Sequence, residues 1–234
     1  MYNCTYNLRY SDFKDYQTIK HSAVMDIIQD VAIKHSNELG YNLKTMREAG
    51  LAWMLQGIKV HFEKPAAPSM TIDVETAVKN MRGTSSERGT FIYCNGQLVA
   101  KAVANWFIFD LSRGRPGRIP AEMAEVYGTH DFGDDFFSYK KPETQEAEVL
   151  YSVRVSNKEI DTNDHLNNQK SSEILMDALP FDYFFTDMTV YFKRPALLGD
   201  ILELCMTKLD NGYYVHLQTP EKEVCVAAVF ECNL

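Results

Sequence analysis

The chain has 234 residues, 45% hydrophobic and 12% aromatic, which is the composition of a folded globular protein with a sizeable core rather than of a disordered chain. Its net charge of −8 argues against nucleic acid as the main partner. No run of 18 apolar residues and no apolar signal core at the N-terminus are present, so neither a membrane span nor secretion is expected.

The first predicted element is an amphipathic helix. Thr18 is a candidate cap for its start, and Gly40 is a candidate for its end. The apolar residues that follow the spacing of one helix face are Val24, Ile27, Ile28, Val31 and Ala32.

Strand-like runs follow this helix in the first half of the chain. A stretch around Trp53 leads into V-H-F-E-K-P-A at 60–66. Further on, T-F-I-Y-C at 90–94 and L-V-A-K-A-V-A-N-W-F-I-F at 98–109 flank Asn95-Gly96, a pair that is typical of a tight hairpin turn.

A loop rich in glycine and proline, S-R-G-R-P-G-R-I-P, carries Arg113, Arg115 and Arg118. These arginines are either a local basic patch for an acidic partner or a solvated turn, and the spacing leaves both interpretations open. The polar, turn-rich stretch that follows, without periodicity, predicts a linker over residues 129–147.

The most informative segment is I-D-T-N-D-H-L-N-N at 160–168, which sets Asp161, Asn163 and His165 at alternate positions. In an extended stretch, alternate side chains point to the same side, so all three could reach one small space. The alternative from spacing alone is a polar loop of ordinary turn residues.

An amphipathic helical pattern begins directly after this segment and ends before Pro180. Unpaired N–H groups at its start, near Asn167 and Asn168, would favour developing negative charge, although either asparagine could also be a simple N-cap. A base, an amide and an oxyanion-stabilising helix end together suit hydrolysis of an acyl compound.

The two halves of the chain repeat each other. V-H-F-E-K-P-A at 60–66 and V-Y-F-K-R-P-A at 190–196 share valine, phenylalanine, proline and alanine at one constant offset of 130 residues. Each half predicts a short strand, one long helix and several antiparallel strands that wrap around it.

With these motifs in this order, the chain resembles the acyl-acyl-carrier-protein thioesterases over nearly its whole length, from Tyr10 to Phe230. D-T-N-D-H-L-N-N matches the D-x-N-x-H-x-N-N of that family. The supporting segments are Q-D-V-A-I-K-H-S (29–36), the Trp53 strand, N-W-F-I-F-D (105–110) and R-I-P-A-E (118–122).

The resemblance implies an α+β double hotdog, which is two tandem repeats with an antiparallel sheet wrapped around a long helix in each. The expected divisions are an acyl-binding repeat at 1–128, a linker at 129–147 and a catalytic repeat at 148–234. The implied reaction is hydrolysis of the thioester of fatty acyl-acyl-carrier protein, which releases free fatty acid and ends chain elongation.

Carried over residue by residue, Asp161, Asn163 and His165 match the active-site trio of the family. Plant members have an acidic residue followed by cysteine at the places of Pro195 and Ala196, so neither a cysteine nucleophile nor an acidic base is present there. We therefore expect direct attack by water, with backbone N–H groups near Asn167 and Asn168 holding the oxyanion.

Other residues of the expected site are assigned on weaker grounds. Arg113, Arg115 and Arg118 are expected to contact the carrier protein. The candidates for the acyl-chain pocket, each of which could equally be an ordinary core or surface residue, are Val24, Ile28, Gln29, Trp53 and Leu55.

No cofactor and no metal are expected, because the histidines lack H-x-x-x-H spacing and the five cysteines lack C-x-x-C spacing. Unpaired cysteines fit a reducing cytoplasm. A homodimer and the preferred chain length stay open. The rival functions are an acyl-CoA thioesterase, a hotdog dehydratase that pairs His165 with Asp26 or Asp30, and a non-catalytic acyl-binding protein.

Overall fold

A computed structural model of the chain describes residues 1–15, 18–63, 69–161, 163–181 and 183–232. The chain divides into two units, Met1–Tyr139 (unit 1) and Lys140–Leu234 (unit 2). Part of the first repeat motif, Lys64 to Ala66, lies outside the described residues.

Unit 1 is an antiparallel sheet with one long helix and two short ones. The strand order is β1-β3-β4-β5-β2, and β6 pairs with β5. The elements in chain order are β1 (Tyr2–Asn7), α1 (His21–Glu38), α2 (Leu43–Glu48), β2 (Leu51–Phe62), β3 (Thr71–Arg82), β4 (Ser85–Cys94), β5 (Gln97–Asp110), β6 (Arg115–Pro116) and α3 (Ala121–Tyr127).

Unit 2 repeats this plan with one α-helix among its described residues. Its strand order, β7-β9-β10-β11-β8, is the order of unit 1 when strands are matched by their place in the chain. The predicted repetition of a helix with an antiparallel sheet is therefore confirmed. The elements are β7 (Glu148–Arg154), α4 (Asn168–Asp177), β8 (Asp187–Phe192), β9 (Ile201–Leu209), β10 (Gly212–Gln218) and β11 (Val224–Glu231).

The apolar face predicted for α1 is confirmed, because all five of its residues are buried. The predicted start was wrong: the N-cap is Lys20 rather than Thr18, whose carbonyl instead accepts a bond from the Lys14 N–H. The predicted end is correct. Gly40 has φ +86°, and the N–H groups of Gly40 and Tyr41 donate back into the last turn as in a Schellman motif.

Helix α4 is shorter than α1 and ends before Pro180 as predicted. Leu175 is fully buried and Ile174 is half-buried. The predicted hairpin at Asn95-Gly96 joins β4 to β5, with positive φ at both residues.

Residues after α3 pack on the sheet of unit 1 through aromatic side chains. Phe137 is fully buried, and its ring stacks on Phe132 with centroids 4.4 Å apart. A Cβ at Gly89 would come within 2.4 Å of the Phe132 ring, so a larger residue there would require the ring to shift. This packing assigns residues 129–139 to unit 1.

Candidate active site

The segment around Asp161 is a tight turn. The Asp161 N–H donates to the His165 carbonyl (2.8 Å), and the Asp164 N–H donates to the Asp161 carbonyl (3.1 Å). Asp164 has φ +62°, a left-handed conformation that aspartate tolerates. The expectation of an extended stretch with alternating side chains was wrong. The chain reverses between Asp161 and His165, and this reversal brings their backbones together.

The Asp161 carboxylate anchors this turn. Its Oδ1 accepts hydrogen bonds from the N–H groups of Asn163 (2.8 Å) and His165 (3.3 Å). The three predicted catalytic residues therefore lie in one short turn, with Asp161 and His165 half-buried and Asn163 exposed. Among the hydrogen bonds of the described residues, Asp161 uses Oδ1 and its backbone groups, and none involves its Oδ2 or the His165 imidazole.

A neighbouring backbone segment supports His165. His165 forms a β-bridge with Leu197, Ile160 forms a bridge with Leu166, and the Leu166 N–H donates to the Ala196 carbonyl (2.8 Å). Pro195 and Ala196 are thus next to the turn. The two positions where plant members have an acid and a cysteine therefore lie beside the Asp161–His165 turn. In this chain they are Pro195 and Ala196, and neither side chain is titratable.

Asn167 is the N-cap of α4. Its Oδ1 accepts from the N–H groups of Gln169 (2.8 Å) and Lys170 (3.2 Å). Its own N–H donates to the Glu159 carbonyl (2.8 Å), so this N–H, an expected oxyanion donor, is already occupied. Asn168 is the first residue of α4, at its N-terminal end.

Glu159 closes the 3₁₀ turn Asn157–Glu159. This turn precedes the segment 160–167, which contains the three candidate residues and is called the active loop below. Burial alone would raise the pKa of its carboxyl, but bonds from the N–H and hydroxyl of Ser156 (2.7 and 2.8 Å) outweigh burial and hold that pKa below its usual value. The turn is therefore fixed by an ionised group at neutral pH.

Unit 1 contains the same loop scaffold. The 3₁₀ turn at Tyr10–Asp12 is closed by a hydrogen bond from the Arg9 N–H to the Asp12 carboxylate (2.7 Å). The Ser156 N–H donates to the Glu159 carboxylate in the same way in unit 2. A bridge between Phe13 and Ile19 matches the bridge between Ile160 and Leu166.

The backbone bonds of the two loops also correspond. Lys14 N–H donates to the Thr18 carbonyl as Asp161 donates to His165, and Lys20 N–H donates to the Asp12 carbonyl as Asn167 donates to Glu159. Lys14 thus occupies the place of Asp161, and Thr18 that of His165. The two halves have one loop architecture, and within the described residues only unit 2 fills it with an acid and a histidine.

Three of the five residues expected to line an acyl pocket belong to the buried core of unit 1. Val24, Ile28 and Leu55 are buried. Trp53 is half-buried in an apolar cluster around Tyr127, with ring centroids 6.3 Å apart. Gln29 is half-buried, and its amide donates to the Met25 carbonyl of the preceding turn (3.3 Å).

Arg113, Arg115 and Arg118 are all exposed on the segment that includes β6. Arg113 lies 3.6 Å from the Asp110 carboxylate, with 68% of its side chain exposed. Arg118 borders a surface cavity of about 390 Å³ that is also lined by Met81, Ile119, Pro120 and Ala124. The three guanidinium groups are thus accessible to a partner.

Within the described ranges, no cluster of three or more His, Cys, Asp or Glu residues is arranged to hold a metal ion. All five cysteines are free thiols. None of the described helices is long and apolar enough to cross a membrane.

Two family models match the chain. The N-terminal domain of acyl-ACP thioesterases matches residues 1–127, and the C-terminal domain matches residues 140–227. Among curated proteins, the chain is 21% identical over 241 residues to the chloroplastic acyl-[acyl-carrier-protein] hydrolase FATB3 of Cuphea viscosissima. This match covers 90% of the chain but only 57% of that relative, so the chain spans little more than half its length.

Solved structures show the same fold. An acyl-ACP thioesterase from Bacteroides thetaiotaomicron superimposes with a TM-score of 0.85 at 15% identity, covering 98% of this chain and 96% of that one. The 12:0-ACP thioesterase from Umbellularia californica gives a TM-score of 0.83 at 17% identity, with the same coverage. The predicted double hotdog architecture is confirmed by these likenesses.

Proposed function

The chain belongs to the acyl-ACP thioesterase family, and on this premise we propose that it hydrolyses the thioester of fatty acyl-acyl-carrier protein and releases free fatty acid. The observation that carries the proposal is the Asp161–His165 turn, in which a carboxylate oxygen and an imidazole are both left without a partner among the described residues. These are the groups that a hydrolase needs for proton transfer to and from water.

The proposed reaction is direct attack by water. The free Oδ2 of Asp161 takes the proton from the water while Oδ1 keeps the turn closed. The water oxygen bonds to the thioester carbonyl carbon, and as the C–S bond breaks His165 gives a proton to the departing sulfur. The proton that Asp161 took from water then passes to His165, which restores both groups. The exposed amide of Asn163 orients the water or donates to the thioester carbonyl. No covalent intermediate forms, since Pro195 and Ala196 supply no nucleophile.

The oxyanion needs a donor other than the Asn167 N–H, which is bonded to Glu159. We propose that the first turn of α4, beginning at Asn168, supplies the positive end of the helix dipole. Hydrogen bonds aimed at a developing oxyanion are typically worth a factor of about 10² to 10³ in rate.

The comparison of the loops supports one active site per chain. Unit 1 has Lys14 and Thr18 where unit 2 has Asp161 and His165, so the loop of unit 1 cannot carry the same proton transfers. We propose that unit 1 binds the acyl chain, which its buried apolar residues Val24, Ile28 and Leu55 support.

The test is thiol release from matched acyl-carrier-protein and acyl-CoA substrates over a range of chain lengths. His165→Ala should lower turnover by about 10² to 10⁴. Thr18→Ala, which changes the corresponding residue of unit 1, should leave turnover unchanged. Equal activity of wild type and His165→Ala would contradict the assignment.

The same assay separates two of the rival functions from the proposal. A preference for acyl-CoA would indicate an acyl-CoA thioesterase. Binding of acyl substrate without hydrolysis would indicate an acyl-binding protein, and Pro195 and Ala196 would then account for the missing chemistry.

Three further expectations belong to this proposal. Contact of the carrier protein with Arg113, Arg115 and Arg118 is supported by their exposure. A homodimer stays a prediction that sedimentation would test. A cytoplasmic location is supported by the free cysteines and would be tested by cell fractionation.

A further inference from the structure

Asp200 holds the segment that lies beside the active loop. Its Oδ2 accepts a hydrogen bond from the Leu197 N–H (2.8 Å), and its own N–H donates to the Leu197 carbonyl (3.1 Å). Gly199, with φ +88°, allows the chain to turn between them. The Asp200 carboxylate is therefore the side-chain anchor of the turn Ala196–Asp200.

This turn is also tied to the strand that leads into the active loop. The Val155 N–H donates to the Asp200 carbonyl (2.9 Å), and the Gly199 N–H donates to the Val155 carbonyl (3.0 Å). The Val155 side chain is buried in unit 2, so the residue that makes these two backbone bonds is itself held in place by packing. The turn is fixed on one side by backbone bonds to Val155 and internally by the carboxylate.

The other side of the turn meets His165. Leu197 forms its β-bridge with His165, and Ala196 accepts the Leu166 N–H. A carboxylate that fixes Leu197 therefore fixes the backbone against which His165 lies. Asp200 is exposed and has no bond to the trio itself, so it would act through this backbone.

The internal repeat provides a comparison for this carboxylate. The offset of 130 residues between the repeat motifs places Met70 of unit 1 at the position of Asp200. The Met70 carbonyl accepts the Leu8 N–H (2.7 Å), just as the Asp200 carbonyl accepts the Val155 N–H. Unit 1 thus retains the backbone contact without the acid, and the acid occurs in the unit that has the catalytic trio.

We propose that Asp200 is a positioning residue for His165, an inference that rests on the proposed thioesterase function. Its carboxylate keeps the Ala196–Leu197 segment in register with His165 and Leu166, and so keeps the imidazole where the departing thiol is protonated. Small displacements of a catalytic group can cost as much as about 10²-fold in rate.

The kinetic test compares Asp200→Ala with Asp200→Asn. Loss of the anchor in Asp200→Ala should lower kcat about 10- to 100-fold and change KM less than about twofold, whereas Asp200→Asn keeps an acceptor oxygen and should retain most of kcat. Asp131→Ala is the matched control, because Asp131 accepts the Gly133 N–H (3.0 Å) in a turn of unit 1. This control should leave kcat unchanged.

A double mutant isolates the route through His165. In the His165→Ala background, Asp200→Ala should cause no further loss, because two residues that act through one group are not additive. An equal loss in both backgrounds would overturn the proposal, as would a loss in Asp200→Asn as large as in Asp200→Ala.

Amide hydrogen exchange gives a readout that does not depend on activity. The Leu166 N–H, bonded to Ala196, should exchange at least about tenfold faster in Asp200→Ala than in wild type, with no change in Asp131→Ala. Unchanged exchange at Leu166 would overturn the positioning role. If wild type hydrolysed no thioester, the proposed function would fail, while this measurement would still decide whether Asp200 orders the loop.

Discussion

The proposed reaction gives the two carboxylate oxygens of Asp161 different roles, and one substitution can separate them. Asp161→Asn keeps an oxygen that accepts the Asn163 and His165 N–H groups but removes the proton acceptor. We predict that kcat falls about 10² to 10⁴-fold while the thermal midpoint stays close to that of wild type. Asp161→Ala should lower both, because the turn loses its anchor as well.

Steady-state kinetics and thermal unfolding of the two variants check this prediction. An active Asp161→Asn enzyme would mean that the residue only shapes the turn, and His165 would then be the base.

His35 makes the stability of the fold depend on pH. Its imidazole accepts a hydrogen bond from the buried Arg88 guanidinium (3.0 Å), and burial together with the Arg88 charge lowers the pKa of His35 from 6.5 to about 4. The unfolded chain therefore takes up this proton at a higher pH than the folded chain does. Stability that is fully present above pH 6.5 is lost as the pH falls from 6.5 towards 4.

We predict that His35→Gln, which keeps an acceptor for Arg88, has a shallower loss of unfolding free energy over that interval. Urea unfolding at a series of pH values measures the slope. Parallel curves for the variant and wild type would show that His35 does not cause the dependence.

The sequence predicted candidate residues for the site, but it did not predict their geometry. The alternate spacing of Asp161, Asn163 and His165 made them candidates for one site. The same spacing predicted an extended stretch, whereas the structure has a turn. Aspartate and asparagine adopt left-handed turns readily, and here Asp164 does so. Asp200 was missed because its effect depends on a β-bridge between segments that are distant in the chain, which no local pattern encodes.

At the scale of elements, the N-cap of α4 connects stability with the site. Asn167→Ala removes the acceptor for Gln169 and Lys170 and should lower the unfolding free energy by about 1 kcal/mol. Asn42→Ala is a matched control, because Asn42 caps α2 through the same two bonds, to Lys44 and Thr45.

We expect similar losses of stability in the two variants, measured by urea unfolding, but reduced turnover only in Asn167→Ala. Equal turnover would show that the position of the α4 terminus is unimportant for the reaction.

Long periodic elements were predicted well and short ones were not. The face of α1 and the hairpin at Asn95-Gly96 follow from spacing and turn chemistry. Helices α2 and α3 have six and seven residues, too few to show a helical period. Helix α3 is held instead by tertiary packing of Met123 and Tyr127 in a buried cluster.

At the scale of the whole molecule, charge is expected to guide the carrier protein. Reversing Arg113, Arg115 and Arg118 to glutamate should raise KM for acyl-carrier protein several-fold at low salt and less at high salt, because exposed charges are screened. KM for an uncharged acyl-N-acetylcysteamine substrate should not change. An unchanged KM for acyl-carrier protein would remove these arginines from the contact.

The repeated order of helix and strands in the two halves was recognisable because the V-x-F-x-x-P-A motif keeps a constant offset. The correspondence of the two loops was not recognisable in full, because Lys14 and Thr18 share no chemistry with Asp161 and His165. Only the pattern of backbone bonds reveals that these residues occupy equivalent positions.

The bonds that the two loops share between main-chain groups do not depend on which side chains stand at Lys14 and Thr18 or at Asp161 and His165. A duplicated unit of this kind provides redundancy, because one copy can lose its reactive groups while its architecture persists. The loop of unit 1 has the corresponding backbone bonds but neither the acid nor the histidine. Placing an acid at Lys14 and a histidine at Thr18 would put these groups at positions whose backbone bonds match those of Asp161 and His165.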